Sequence, residues 1–242
     1  MNGKTILVTG GTAGIGRALA ERLIHTGHQV IITGRNQTKI DETVKTLGCA
    51  GYLADNANTA QIKQLAAALQ KDKVQLDGLV LNAGVFYPKS FTDTTEDDFD
   101  LTMNINTKGP MIALQSLLPV LSNPSSVVFV SSIAVTKAFP NAAIYSASKA
   151  AFEAIARVAN LELASQGIRI NSVRPGVTAT EIQGKAGMSE DQQTELFETL
   201  NSTPLGRVLI PEDQIGAIEF LLSDQSQAMR NAVLEVDGGF LL

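Results

Sequence analysis

Short runs of β-branched and aliphatic residues alternate along this chain with longer stretches in which apolar residues recur every three or four positions. The runs predict strands at Thr5 to Thr9, Gln29 to Thr33, Gly51 to Ala54, Gly78 to Asn82, Ser126 to Ser131, Arg169 to Val173 and Ala232 to Val236. Several are apolar throughout, as in Val30-Ile31-Ile32 and Val127-Val128-Phe129-Val130, the pattern of strands covered on both faces. Helical periodicity fills 15–25, 37–46, 59–71, 95–121, 143–165 and 212–222. In the first of these, Ile15, Leu19, Leu23 and Ile24 share a face while Arg17, Glu21 and Arg22 fall between them.

Strict β-α-β alternation implies right-handed crossovers and a parallel sheet. No Gly/Ser/Pro-rich linker or charge block divides the chain, so 1–242 reads as one domain. The expected fold class is α/β, a single doubly wound Rossmann-type domain of about seven parallel strands with helices on both faces. The alternation breaks between Thr178 and Ile210, where Gly184 and Gly187 precede a helix-like piece from Glu190 to Leu200 and a Thr203-Pro204-Leu205-Gly206 turn. Long insertions in compact folds serve as lids or binding loops, so 178–210 is expected to cover a substrate; an ordinary surface excursion is the alternative.

Composition narrows the classes. A chain that is 44% hydrophobic and 18% charged can fill a sizeable core. Nineteen Lys+Arg against 24 Asp+Glu give a net charge of −5, which argues against a nucleic-acid partner and its basic face. Cys49 is alone, which excludes an intrachain disulfide and speaks against a Cys-based zinc site. After Met1-Asn2-Gly3-Lys4, the five apolar-rich residues Thr5 to Thr9 are too few for a signal-peptide core, and no apolar run approaches the ~20 residues that span a bilayer. The expectation is a cytoplasmic protein with no membrane partner.

Thr9-Gly10-Gly11-Thr12-Ala13-Gly14-Ile15-Gly16 falls where the first strand turns into the first helix. Glycines there let backbone N–H groups approach a pyrophosphate that faces a helix N-terminus. The spacing of Gly10, Gly14 and Gly16 is G-x-x-x-G-x-G rather than G-x-G-x-x-G, and alone it is also compatible with a plain tight connection. Arg35 ends the second strand in Thr33-Gly34-Arg35-Asn36, with Gly34 where an acid would bind the ribose of NAD. A basic residue there favours the 2′-phosphate, so NADP(H) is expected over NAD(H), the alternative being a merely solvated Arg35.

Tyr145 and Lys149 stand at i and i+4 in Tyr145-Ser146-Ala147-Ser148-Lys149, on one face of a helix. A nearby ammonium favours phenolate and would pull the tyrosine down from ~10 toward working pH, as a general acid/base at a carbonyl oxygen requires. Ser132 closes the strand that ends at Ser131, at the carboxyl edge that the Gly-rich turn shares, and the loop Ala134 to Ala142 is short enough to bring it to Tyr145.

In these residues the sequence resembles the short-chain dehydrogenase/reductase family, over nearly its whole length. The likeness is carried by Thr9-Gly10 to Gly16, Asp55, Asn82-Ala83-Gly84, Asn106, Ser132, Tyr145 with Lys149, Pro175-Gly176 followed by Thr180, and Val236-Asp237-Gly238-Gly239. The resemblance implies that Tyr145 donates the proton in ketone reduction and Ser132 bonds the substrate oxygen. Lys149 would bind the nicotinamide ribose and lower the Tyr145 pKa, and Asn106 would hold a relay water. Gly10, Thr12, Gly14, Ile15, Gly16, Arg35 and Asn36 would hold the phosphate and ribose end, with Asp55 and Asn56 at the adenine. Asn82, Ala83 and Gly84 would support the sheet beside the cofactor, and Pro175, Gly176, Val177, Thr178 and Thr180 would hold the carboxamide. A small carbonyl or alcohol substrate is implied, as is a homotetramer or homodimer built through 95–121, 143–165 and the C-terminal segment.

The chain departs from the family at Leu81, at Asn56 where an apolar residue commonly packs on adenine, and at Met229-Arg230-Asn231 where Ile-Thr-Gly is usual, which puts the C-terminal subunit contacts in question. His25 and His28 read as cationic residues complementing the end of the first helix rather than as metal ligands, and no metal is expected. Met188, Leu196, Phe197, Leu200, Phe86-Tyr87 and Phe139-Pro140 hint at an apolar substrate body, or simply pack. The competing reading is a catalytically silent NADP(H)-binding regulatory protein of the same fold. An epimerase or dehydratase is disfavoured by the short length.

Overall fold

The apolar runs form a single seven-stranded parallel sheet in the computed structural model, which describes residues 3–242. Met1 and Asn2, where the reading of the N-terminus begins, lie outside the described residues. The strands are β1 (Thr5–Val8), β2 (Gln29–Gly34), β3 (Ala50–Leu53), β4 (Leu76–Leu81), β5 (Leu121–Val130), β6 (Ile168–Pro175) and β7 (Val233–Val236), in the order β3-β2-β1-β4-β5-β6-β7. The helices are α1 (Gly14–His25), α2 (Gln37–Leu47), α3 (Thr59–Lys71), α4 (Glu96–Met103), α5 (Gly109–Leu117), α6 (Ala143–Glu162), α7 (Glu181–Lys185), α8 (Glu190–Thr199) and α9 (Pro211–Leu222). The chain moves outward from β1 to β3 and then returns to β4 beside β1. That reversal opens a crevice at the carboxyl ends of β1 and β4, where ligands bind in open α/β sheets.

Two apolar layers sandwich the sheet. Leu7, Leu79, Val127, Phe129 and Ile170 point to one side, against α3, α5 and α6 through Leu69, Leu117 and Phe152. Ile6, Val8, Val80, Val128 and Val173 point to the other, against α1 and α9 through Leu19, Leu23, Ile218 and Leu221. Neighbours along β5 thus face opposite layers, which explains why its sequence is apolar without alternation.

The expected helix over 95–121 is broken into α4, a π-turn, α5 and a closing 3-10 turn at Leu118–Val120, and Leu121 already belongs to β5. α4 starts as expected, with Thr95 capping Asp98 and Asp98 returning the bond. A π-turn then occupies Asn104–Lys108, and α5 follows with Pro110 in its first turn. Proline has no N–H for the carbonyl four residues back and its ring crowds that carbonyl, so a wider turn accommodates it where a regular ladder would clash. The strand expected from Ser126 begins at Leu121, which pairs with Leu76; Pro124, with no N–H to donate, masks this first half in the sequence.

Two smaller expectations change. His28 is not a cation at the end of α1: its Nδ1 accepts the Lys4 N–H at 3.1 Å, and burial followed by the Lys4 charge lowers its pKa. At Met229-Arg230-Asn231, Asn231 takes the left-handed conformation (φ 57°) that glycine usually supplies, and Asn171 braces the turn by bonding Met229 O and Ala232 N–H.

Candidate active site

The Gly-rich turn joins β1 to α1, with Gly10 (φ 67°) and Gly14 (φ 52°) both left-handed. Thr9 and Asn82 hold it in place. The Thr9 hydroxyl accepts the N–H groups of Asn82 at 2.9 Å and Ala83 at 3.0 Å and donates to Val80 O, while the Asn82 amide donates to Thr9 O at 2.9 Å. α2, α3, α4, α7 and α8 are each capped by a side-chain oxygen, whereas α1, whose N-cap is Ala13, has none, like α5, α6 and α9. The backbone N–H groups of the first turn of α1 therefore present an uncancelled partial positive charge at the crevice. A dinucleotide pyrophosphate fits this donor set. Arg35 and Asn36 stand exposed at the end of β2; the Asn36 side chain caps α2 by accepting the Lys39 N–H, and no ion pair engages Arg35 among the described residues.

Across the crevice, β5, the π-turn and α6 bring together Asn106, Ser132, Tyr145 and Lys149. Asn106 is fully buried: its Oδ1 accepts the Val85 N–H at 2.9 Å, and its Nδ2 donates to Val85 O at 2.9 Å and to the Ser148 hydroxyl at 3.1 Å. Ser148 in turn donates to Tyr145 O at 2.7 Å. Lys149 is 4% exposed and its Nζ donates to Val130 O at 2.8 Å. A Cβ on Gly84 would lie 3.1 Å from Lys149 Nζ and 3.2 Å from Asn106 Oδ1, so both polar groups converge where only glycine leaves room.

Burial dominates the electrostatics. It pushes the Lys149 ammonium down to about 8, with the Glu153 carboxylate pulling the other way. It also raises the Tyr145 phenol, and a hydrogen bond with Ser132 only partly offsets this. The expected lowering of Tyr145 by Lys149 is thus not the leading effect, because the ammonium is directed at the Val130 carbonyl and lies 5.9 Å from the centre of the tyrosine ring. Desolvation, which favours the neutral phenol, outweighs it.

Other expected residues occupy varied places. Asp55 lies beyond the end of β3 and accepts the Ala57 N–H, while the buried Asn56 side chain donates to Ala83 O and Ile105 O and so ties the segment after β3 to that after β4 and to the π-turn. Pro175, Gly176 and Val177 leave β6 toward the crevice. Thr178 donates to Gly176 O and is gripped by Gln183 and Gln214, and the side chain of Thr180 packs against Gly14, so the root of the 178–210 segment sits on the Gly-rich turn. Phe86 meets the Tyr145 ring edge-on at 5.0 Å, Phe139 stacks on Phe240 at 5.8 Å, and Leu200 is buried in packing. Thr9, Ser148, Gln183 and Gln214 were not singled out from the sequence as ligands of the site's backbone. Ser148 could have been found, since it sits on the helix between Tyr145 and Lys149.

A phosphate-binding turn at the switch point, with a titratable phenol and a buried lysine across the crevice, is the arrangement of a dinucleotide-dependent oxidoreductase. A family model described as "Enoyl-(Acyl carrier protein) reductase" matches residues 10–241. Human "Dehydrogenase/reductase SDR family member 4" is 33% identical, covering 98% of this chain and 87% of its own length. "3-oxoacyl-[acyl-carrier-protein] reductase FabG" of Rickettsia felis is 32% identical over 100% of this chain and 98% of its own. The crystal structure of levodione reductase superposes with a TM-score of 0.90 at 25% identity, covering 99% of this chain and 98% of the other. The chain belongs to the short-chain dehydrogenase/reductase family, and it is an NAD(P)-dependent oxidoreductase.

Proposed function

We propose that this enzyme is an NADP(H)-dependent reductase of ketones or aldehydes, with Tyr145 as the proton donor. The observation that carries the reading is the convergence of Tyr145, Ser132, Lys149 and Asn106 at the crevice beside the Gly-rich turn. Reduction adds a hydride at the carbonyl carbon, supplied by the nicotinamide when bound, and a proton at the carbonyl oxygen. Desolvation of the half-buried Tyr145 raises its phenol, which stays protonated and so is in the form that can give that proton. Ser132 holds the carbonyl oxygen beside the phenol. Lys149, charged below about pH 8, and Asn106 lead a proton back from solvent along the polar line past Gly84. Arg35 and Asn36 receive the adenosine 2′-phosphate, Asp55 and Asn56 border the adenine, and Pro175 to Thr180 hold the carboxamide. The 178–210 segment covers the substrate, and Phe86 supplies an apolar wall.

The decisive measurement is NADPH consumption across a panel of carbonyl compounds. Tyr145→Phe is expected to lower kcat/KM by ~10²–10⁴ while NADPH still binds; an equally active variant, or a wild type that binds NADPH and turns over nothing, ends the reading. Arg35→Ala is expected to weaken NADPH about tenfold and leave NADH nearly unchanged, as loss of one charge-assisted bond predicts. Equal affinity of the wild type for NADPH and NADH would remove the case for NADP(H).

We further propose a homodimer or homotetramer in the cytoplasm. α4 and α6 leave Phe99 (45% exposed), Leu101, Val158 and Leu161 (79% exposed) in solvent on the isolated chain, an apolar display that a second copy can cover. Light scattering that returned a monomer would overturn this. Among the described residues no helix is long and apolar enough to cross a membrane.

A further inference from the structure

Glu153 is a carboxylate at 8% exposure, inside the protein and outside the proton-transfer set. A buried carboxylate persists as an anion only when it is paired and hydrogen-bonded. Glu153 is both. Its Oε1 accepts the Ser131 hydroxyl at 2.6 Å and Arg174 Nε at 2.9 Å, and its Oε2 accepts Arg174 Nη2 at 2.7 Å. Arg174 donates a third bond, from Nη1 to Glu235 Oε1 at 2.9 Å.

The elements joined in this way are those that carry the reacting groups. Tyr145, Lys149 and Glu153 follow one another at four-residue steps on α6, hence on one face. Ser131 directly precedes Ser132 at the end of β5. Arg174 directly precedes Pro175-Gly176 at the end of β6, and Glu235 lies near the end of β7. Two carboxylates, one guanidinium and the Lys149 ammonium give formal charges that cancel.

We propose that Glu153 and Arg174 are positioning residues of the reaction, whose ionic cluster keeps Lys149 charged and fixes the ends of β5, β6 and α6 around it. The proposal rests on the reading of Tyr145 and Lys149 as the proton-transfer pair. Lys149 touches no carboxylate; its bond goes to the neutral Val130 carbonyl. From α6 it faces Tyr145 and Glu153; Arg174 of β6 and Glu235 of β7 act on it through Glu153. Among the described residues, the end of β5 offers the neutral Ser131 and Ser132 and the π-turn the neutral Asn106 and Thr107, while the one charged residue of that turn, Lys108, is exposed. Among the described residues, Glu153 is the carboxylate that raises the lysine against its burial.

The test follows the Cε chemical shift of Lys149 against pH in isotope-labelled full-length protein, beside the pH profile of NADPH-dependent reduction. Glu153→Gln is nearly isosteric and removes the charge. Its Lys149 midpoint is expected to fall by roughly half a pH unit to one unit, as loss of a charge a helical turn away predicts, and the basic limb of reduction is expected to move down with it. Glu235→Gln, at the half-exposed end of the cluster, is expected to shift the midpoint in the same direction by less. Glu219→Gln, which breaks the exposed pair of Arg22 and Glu219 between α1 and α9, is expected to shift neither. An unmoved Lys149 midpoint in Glu153→Gln overturns the proposal, and so does an unmoved midpoint in Glu235→Gln should the first variant fail to fold. The chemical-shift titration needs no turnover, so an inactive wild type would end the reductase reading while the cluster was still judged on its own.

Discussion

The two walls of the crevice solve opposite electrostatic problems. On the proposed nucleotide wall, the turn after β1 holds no buried charge: Thr9 and Asn82 are neutral and spend their hydrogen bonds on shaping backbone, leaving the uncapped start of α1 as the pole that would attract an anion. On the proposed proton-transfer wall an ammonium is itself buried, and the Glu153–Arg174 ion pair begins one helical turn further along α6. Attraction of a phosphate can be spread over several peptide dipoles, whereas proton transfer needs one group whose charge changes at one place. The first wall is therefore robust to pH, and the second is sensitive to it.

Three variants probe this contrast, beginning with the most severe. Gly84→Ala places a methyl against Lys149 Nζ and Asn106 Oδ1, and is expected to lower kcat by up to about a hundredfold with a smaller loss of NADPH affinity, since Gly84 and Lys149 are also expected to border the cofactor. A matching loss of cofactor affinity would show that the two walls are not separable. Thr9→Val strips the hydroxyl that accepts two N–H groups under the nucleotide wall, and is expected to destabilise the protein by about 1–3 kcal/mol in urea unfolding, equally from pH 6 to pH 9.

The third variant tests a pH dependence confined to the other wall. Because burial depresses Lys149 from 10.5 to about 8, its desolvation penalty is fully present below about pH 8 and is relieved as pH rises from there toward 10.5. Lys149→Met, inactive but folded, is expected to melt higher than the wild type at pH 7, with the difference shrinking as pH approaches 10. A constant difference would mean that the lysine is not a buried cation.

Most of this was open to a reading of the sequence, for reasons that differ by element. The seven strands were visible because both faces of each are covered and the runs are apolar. The Gly-rich turn and the pair Tyr145 and Lys149 are legible as motifs because each lies within a few consecutive residues of the chain. Less visible were contacts between residues distant in sequence: Thr9 with Asn82, Asn106 with Ser148, and Arg174 with Glu153. Glu153 had a local signal in its four-residue spacing from Lys149, but without Arg174 it is indistinguishable from a solvated helix residue. The break at 104–108 was hidden because the apolar period continues through it.

That break has a wider consequence. A π-turn takes up one residue more than a regular turn, so side chains beyond it are rotated by about 100° relative to an unbroken helix. The rod from α4 to α5 thereby changes phase in mid-course. Ahead of the slip, α4 keeps its capped start; beyond it, α5 turns Ala113, Leu114 and Leu117 into the core; and at the slip itself the Asn106 amide turns to Val85 and to Ser148 of α6. A polar group can thus be delivered to a reaction centre by lengthening a helix by one residue, with no loop to order and no strand end to spare.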